Sequence, residues 1–286
     1  MKIIRSLLIT AVLVLALFLR LYKIDNPVAD WHSFRQADTA SVTRNFVDKG
    51  VNLLVPTYHD LSNIQSGQDN PQGYRMVEFP LYNLLHYGVY RLSPSLGLDI
   101  AGRLTSVILS LASILFVYLI ANRLSGFFVG LLAAIFMAVV PFNIYYSRVI
   151  LPEPLVITSL LGSYWCLLQM AERNGYKKRL HLVFSAILLA VSILTKPYAV
   201  FFALPHAAIL IRSWAQKDLR FIDLLCYGLI SIVPFGLWRR HIALYPAGIP
   251  ASDWLFNKDN IRFRPAWFRW LFGERLGKLI LGTYGT

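Results

Sequence analysis

The sequence predicts an all-α polytopic integral membrane protein. Three observations carry that prediction. Of its 286 residues 56% are hydrophobic and only 15% are charged, where a soluble domain of this size carries about a quarter. The mean hydropathy is +0.53, and the apolar residues fall in long, nearly uncharged runs. Such runs cross a bilayer as helices of about 20 residues, because unpaired backbone cannot sit in lipid. They are too long and Leu-rich for the roughly ten-residue strands of a membrane barrel.

About seven spans are expected, near 4–22, 100–122, 127–146, 154–171, 181–195, 198–211 and 221–238. The first resembles a signal peptide, with Lys2 and Arg5 ahead of Leu7–Leu19. It runs directly into Arg20-Leu21-Tyr22-Lys23 with no small-residue cleavage site, so it reads as an uncleaved helix. Seven crossings from a cytoplasmic N-terminus leave Lys2, Arg5, Arg123, Arg173, Lys177, Lys178, Arg179, Arg212, Lys217 and Arg220 in short inner segments. Only Arg148 and Lys196 fall in short outer ones, as the positive-inside rule requires. The fifth and sixth crossings are joined by the tight Lys196-Pro197 turn.

Between the first and second spans lies one large outer loop, 23–99. Its stretch from Lys23 to Phe79 holds Asp25, Asp30, Asp38, Asp48, Asp60, Asp69 and Glu78, seven of the 15 carboxylates. Asp30 is placed to cap a helix reading Trp31-His32-Ser33-Phe34 and continuing to about Val47. Phe34, Ala37, Ser41 and Arg44–Asn45 follow its period, with Arg35 and Asp38 on another face, and Gly50 ends it. Residues 56–73 are loop by composition. Pro80 to Leu92 reads as an amphipathic interfacial helix with Tyr82, Leu85, His86, Val89 and Tyr90 on its apolar side. Tyr22, Trp31, Tyr145, Tyr146, Tyr198 and Trp238 sit at outer helix ends, as an interfacial aromatic belt would.

The net charge of +13 gathers at the ends of apolar runs, which fits orientation and anionic headgroups rather than a nucleic-acid groove. Cys166 and Cys226 both lie inside apolar runs, against a loop-stapling disulfide. His32, His59, His86 and Asp60 have no metal-ligand spacing, although the outer acids suit a divalent metal as well as proton transfer. No Gly-rich phosphate loop or nucleophile elbow is present. The middles of the spans are nearly free of ionisable groups, which weighs against a transporter.

Three acidic motifs reach the outer surface in this topology. They are Asp30-Trp-His-Ser-Phe-Arg-Gln-Ala-Asp38, Val77-Glu78-Phe79-Pro80-Leu81-Tyr82, and Tyr146-Ser-Arg148-Val-Ile-Leu-Pro-Glu153-Pro. Carboxylates there can serve as general bases toward an acceptor hydroxyl or amine. The plainer alternative makes Asp30 only a cap and pairs Asp38 with Arg35 one turn away. Arg35, Arg103, Arg148 and Lys196 lie at the same boundary, suited to a lipid phosphate or simply to headgroup anchoring.

Arg35–Phe46 (RQADTASVTRNF), Glu78-Phe79-Pro80, Arg103-Leu104-Thr105-Ser106, Arg148…Pro152-Glu153 and Leu194-Thr195-Lys196 together resemble the GT-C glycosyltransferases. The resemblance covers the N-terminus to about Trp238 and is nearest the branch of protein O-mannosyltransferases and the lipid A aminoarabinose transferase. It implies an inverting enzyme that moves a sugar from a polyprenyl-phosphate donor to a lipid, glycan or protein acceptor, on the outer face of a bacterial inner membrane. By the same resemblance an acid of the first loop is the base. The family's adjacent Asp-Glu pair is absent, and Arg35-Gln36 fall where it would align, so the base is open between Asp30 and Asp38. Asp38 is preferred because Asp30 has a capping role. Glu78 fits the acid-x-Pro element. Glu153, Arg35, Gln36, Tyr82, Arg103, Arg148 and Lys196 are expected around donor and acceptor, with His32 a secondary contact. Members of the family generally have more helices and often a C-terminal outer domain. Residues 1–238 are thus expected to form the transmembrane domain and 239–286 to begin a further outer part; the alternative reading is a non-catalytic or truncated subunit of a glycosylation complex that works with a partner subunit.

Overall fold

The computed structural model describes residues 2–28, 33–251 and 257–277. Their regular structure is helical; the described residues form no strand, only an isolated bridge between Thr57 and Tyr74. In order, the helices are α1 (Lys2–Leu21), α2 (Ser33–Lys49), α3 (Leu81–Leu92), α4 (Leu98–Ser125), α5 (Phe127–Val139), α6 (Pro141–Tyr146), α7 (Glu153–Met170), α8 (Gly175–Thr195), α9 (Leu204–Ala215), α10 (Phe221–Ile242) and α11 (Pro265–Phe268). Short 3-10 turns join several of them, including Pro197–Ala203 ahead of α9 and Pro246–Gly248 after α10.

Five stretches are long and apolar enough to cross a membrane: Ile3–Leu21, Leu98–Ser125, Gly175–Thr195, Pro197–Ala215 and Phe221–Ile242. The chain is therefore a multi-pass integral membrane protein. Two of the seven expected spans differ. The run 127–146 is not one helix but α5 and α6, because Pro141 pushes Val140 to an extended conformation (φ −61°, ψ 121°) and removes an amide the helix needs. The run 154–171 does form a helix, α7, but it carries Ser159, Ser163, Thr158 and Gln169 and falls short of the apolar character of the five.

Those polar groups explain how the helices hold together. Between apolar helices in lipid, close packing of small residues and interhelical hydrogen bonds replace the hydrophobic effect. Ser163 of α7 donates to the Ser185 carbonyl of α8 at 2.8 Å, and Ser185 returns a bond to the Ser163 carbonyl at 2.9 Å. Thr158 joins α7 to α4 through the Leu109 carbonyl at 2.7 Å. Gly162 lets Phe116 and Leu188 approach the α7 backbone. At the turn between α4 and α5, Gly126 has φ +89°, a conformation glycine adopts without strain.

The loop ahead of α3 packs onto the end of the bundle. α2 begins at Ser33 within the described residues, and its buried set includes Gln36, Thr39, Ala40, Thr43 and Phe46. Of the residues expected to share one face, Ser41 and Asn45 are buried with these, whereas Phe34 is 64% exposed. Polar residues can be buried here because they are paired: Asn83 of α3 donates to the Thr39 carbonyl at 2.7 Å and to Thr43 at 3.0 Å. α3 is less an interfacial float than a buried connector, with Tyr82, Asn83 and His86 enclosed. From the C-terminal side, the Gly248 carbonyl accepts from the Met76 amide at 2.8 Å.

Candidate active site

The positioning of the site starts from a helix end. α8 stops at Thr195 because Pro197 follows, leaving the last carbonyls without helical partners. One of these, on Leu194, accepts the Phe79 amide at 3.1 Å. That single bond sets Glu78 beside Lys196. Lys196 Nζ then lies 3.3 Å from Glu78 Oε1 and 3.4 Å from Glu153 Oε1, while Arg35 reaches the same Glu78 oxygen at 3.4 Å. Glu153 arrives from the start of α7, and Arg35 from the first turns of α2. The second oxygens of Glu78 and of Glu153 are buried without a partner. Two acids and two bases from four separated segments thus meet, and each acid keeps one acceptor oxygen uncommitted.

Asp38 sits one turn along α2 from Arg35, yet the two do not pair. Asp38 Oδ2 instead takes Arg75 at 3.3 Å and the Gln65 amide at 2.9 Å. Arg75 is nearly enclosed, lies 4.9 Å from the centre of the Tyr58 ring and also bonds Gln65. Burial raises the Tyr58 hydroxyl above its ordinary pKa, against the pull of Arg75. A small cleft of about 20 Å³ is lined by both Arg75 and Glu78, so the Asp38 pair and the Glu78 cluster border one space. Neither Arg75 nor Gln65 is marked by any motif, and sequence reading missed both.

A cavity of about 450 Å³ opens beside the cluster, with Arg35 and Glu153 at its polar end and Met137, Phe142, Leu151, Pro154 and Ile157 along its walls. An apolar cavity that converges on a few charged groups suits a molecule with an apolar tail and a polar head.

The remaining expected residues are placed elsewhere. Gln36 is fully buried and accepts the Ile150 amide at 3.2 Å, tying α2 to the segment before α7. Tyr82 is 1% exposed, with its hydroxyl against the Gly102 carbonyl (2.9 Å) and Ser106 (2.8 Å); it joins α3 to α4 and lines no part of the cavity. Arg103 is also buried and donates to the carbonyls of Lys23, Ile24 and Pro27 at 3.1–3.3 Å. It clamps the chain leaving α1. Arg148 bonds the Tyr22 carbonyl and lies over the Tyr22 and Tyr145 rings, again holding the end of α1. Asp30 and His32 lie outside the described residues. Among those described, no group of three His, Cys, Asp or Glu side chains is arranged to hold a metal.

A bundle of apolar helices, closed at one end by paired acids and cations beside an apolar cavity, defines a membrane-embedded protein with one charged site. Residues 80–238, more than half of the chain, match the dolichyl-phosphate-mannose-protein mannosyltransferase family, and the chain belongs to that family. It is a glycosyltransferase of GT-C type that uses a polyprenyl-phosphate sugar donor. No curated protein and no solved structure matches it. The matched region contains Arg103, Arg148, Glu153 and Lys196, whereas Arg35, Asp38, Arg75 and Glu78 precede it.

Proposed function

We propose that the chain transfers a sugar from a polyprenyl phosphate to a lipid, glycan or protein acceptor on the outer face of the membrane, with inversion. The carrying observation is the convergence of Arg35, Glu78, Glu153 and Lys196 beside the apolar cavity that Arg35 and Glu153 line, with Arg75, the partner of Asp38, sharing a small cleft with Glu78. In this reading the lipid tail occupies the cavity and its phosphate meets Arg35 and Lys196. Asp38, held by Arg75 and Gln65, takes the proton from the acceptor hydroxyl or amine. The acceptor lone pair attacks the anomeric carbon opposite the phosphate, the carbon–oxygen bond to phosphate breaks, and the lipid phosphate leaves with that electron pair. Glu78 and Glu153 offer their uncommitted oxygens to sugar hydroxyls. Cations are needed on the leaving phosphate because charge develops there as the bond breaks.

The N-terminus is cytoplasmic in this reading, residues 1–238 form the transferase unit, and 239–286 are assigned to the outer side, where Gly248 meets Met76 of the loop. The test is release of polyprenyl phosphate by the purified chain in nanodiscs, from a panel of polyprenyl-phosphate sugars, with envelope extract as acceptor source. Asp38→Asn should abolish extract-dependent release, and Asp30→Asn should leave it. The opposite pattern moves the base to Asp30; full activity in both removes both.

A further inference from the structure

Arg20 closes α1 and is completely enclosed, at 0% exposure. Its Nε donates to Ser110 at 2.9 Å and Ser147 at 2.7 Å. Nη1 donates to the Ala16 and Ala138 carbonyls, both at 3.0 Å, and Nη2 to the Met137 carbonyl at 3.2 Å. Every acceptor is neutral, and no carboxylate among the described residues pairs with this arginine. A buried charge of this kind within a membrane protein is costly and ordinarily has a partner. Packing accounts for part of it: Met137 and Ala138 belong to the last turn of α5, whose free carbonyls carry roughly half a negative charge. The rest of the positive charge stays uncompensated in a low-dielectric setting.

That charge lies directly behind the wall of the large cavity, since Ser110, Met137 and Ser147 all line it. The two serines are not equivalent. Ser147 donates its own hydroxyl hydrogen to the Ile144 carbonyl at 3.3 Å. Ser110 accepts from Arg20, and its hydroxyl has no acceptor among the described residues. A hydroxyl that accepts from a guanidinium is polarised and becomes a stronger donor.

We infer that Ser110, polarised by Arg20, forms an anion-selecting wall of the cavity, at which the enzyme distinguishes a lipid phosphate from the neutral lipid alcohol of the same chain. Ser110 donates to a non-bridging phosphate oxygen, and Arg20 acts through it as a positioning residue. This rests on the reading of the cavity as the lipid-donor site.

The experiment measures binding of a polyprenyl phosphate and of the polyprenol of equal length to the full chain in nanodiscs. Wild type should favour the phosphate. Ser110→Ala should weaken the phosphate by about tenfold, the loss of one hydrogen bond to a charged group, and leave the alcohol unchanged. Arg20→Met should do the same, and Arg20→Lys should retain most of the preference. Equal weakening of both ligands in Arg20→Met, with Ser110→Ala unaffected, makes Arg20 a structural clamp only and overturns the inference. If wild type prefers phosphate and Lys196→Met alone removes the preference, selection resides at Lys196 and the inference fails while the donor site stands. If wild type does not discriminate at all, the donor-site reading fails with it.

Discussion

Removing Lys196 tests whether the cluster is a charge-balanced unit or a coincidence of exposed side chains. Lys196 is the shared cation of Glu78 and Glu153, at 3.3 and 3.4 Å. At an effective dielectric constant of about 20, each contact is a gross attraction of about 5 kcal/mol. Most of that is offset by the desolvation of the partners, and truncating one member of a well-buried pair leaves a net loss of about 3–5 kcal/mol. Glu78 is 12% exposed but keeps Arg35, whereas Glu153 is 36% exposed and can rehydrate. Both features reduce the loss, so Lys196→Met should destabilise the fold by about 2 kcal/mol. Adding Glu153→Gln should recover about half, because the carboxylate left without a cation is then gone while Glu78 keeps Arg35. Reversible unfolding in mixed micelles measures both variants and both single changes. A Lys196→Met variant within about 0.5 kcal/mol of wild type would refute the counter-ion reasoning. Failure of Glu153→Gln to restore any stability would assign the loss to the lysine stem.

Three further outcomes are expected. His86 is buried, and burial pushes its pKa down to about 4, with Nε2 held to the Leu98 carbonyl at 2.8 Å. The unfolded chain takes up that proton near pH 6.5. Stability is therefore complete above 6.5, falls through the window down to about 4, and is then about 3 kcal/mol lower from this group; His86→Gln should flatten the pH dependence of unfolding, and an unchanged slope would show the proton is bound elsewhere. Gly102→Ala places a methyl 2.7 Å from His86 Cε1 and 3.1 Å from Ile150; overpacking here should cost about 1–3 kcal/mol, read from the same unfolding curves, and a neutral result would mean that α3 can shift on α4. Arg103→Met leaves the Lys23, Ile24 and Pro27 carbonyls without their donor and should cost about 2–4 kcal/mol, with faster proteolysis of 23–27; stability equal to wild type would show water replaces the guanidinium.

Much of this protein was legible without coordinates, for a definite reason. Lipid imposes one rule on every spanning segment, so apolar run length located α1, α4, α8, α9 and α10. The same rule misled at 127–146, where Pro141 outweighs hydropathy, and it passed over Arg20, which looked like the end of a run. Its position deep among α1, α4 and α5 depends on partners 90 to 127 residues away. Glu78, Glu153, Lys196 and Arg35 were recognisable as charges at one boundary, and the structure brings them together; Tyr82, Gln36 and Arg103 carried similar motifs but are spent on packing.

The sequence by itself determined that this is a helical membrane protein with its acids concentrated in one loop, because burial in lipid and charge placement are properties of composition along the chain. Only the tertiary structure decided which acid meets which base. Arg35 and Asp38 are helical neighbours, yet one pairs with Glu78 and the other with Arg75, 43 and 37 residues further along. Helical spacing permits the local pair. The bond from Phe79 to the end of α8 and the burial of Arg75 against Tyr58 place stronger partners within reach, and a charge removed from water goes to the partner that the fold holds fixed.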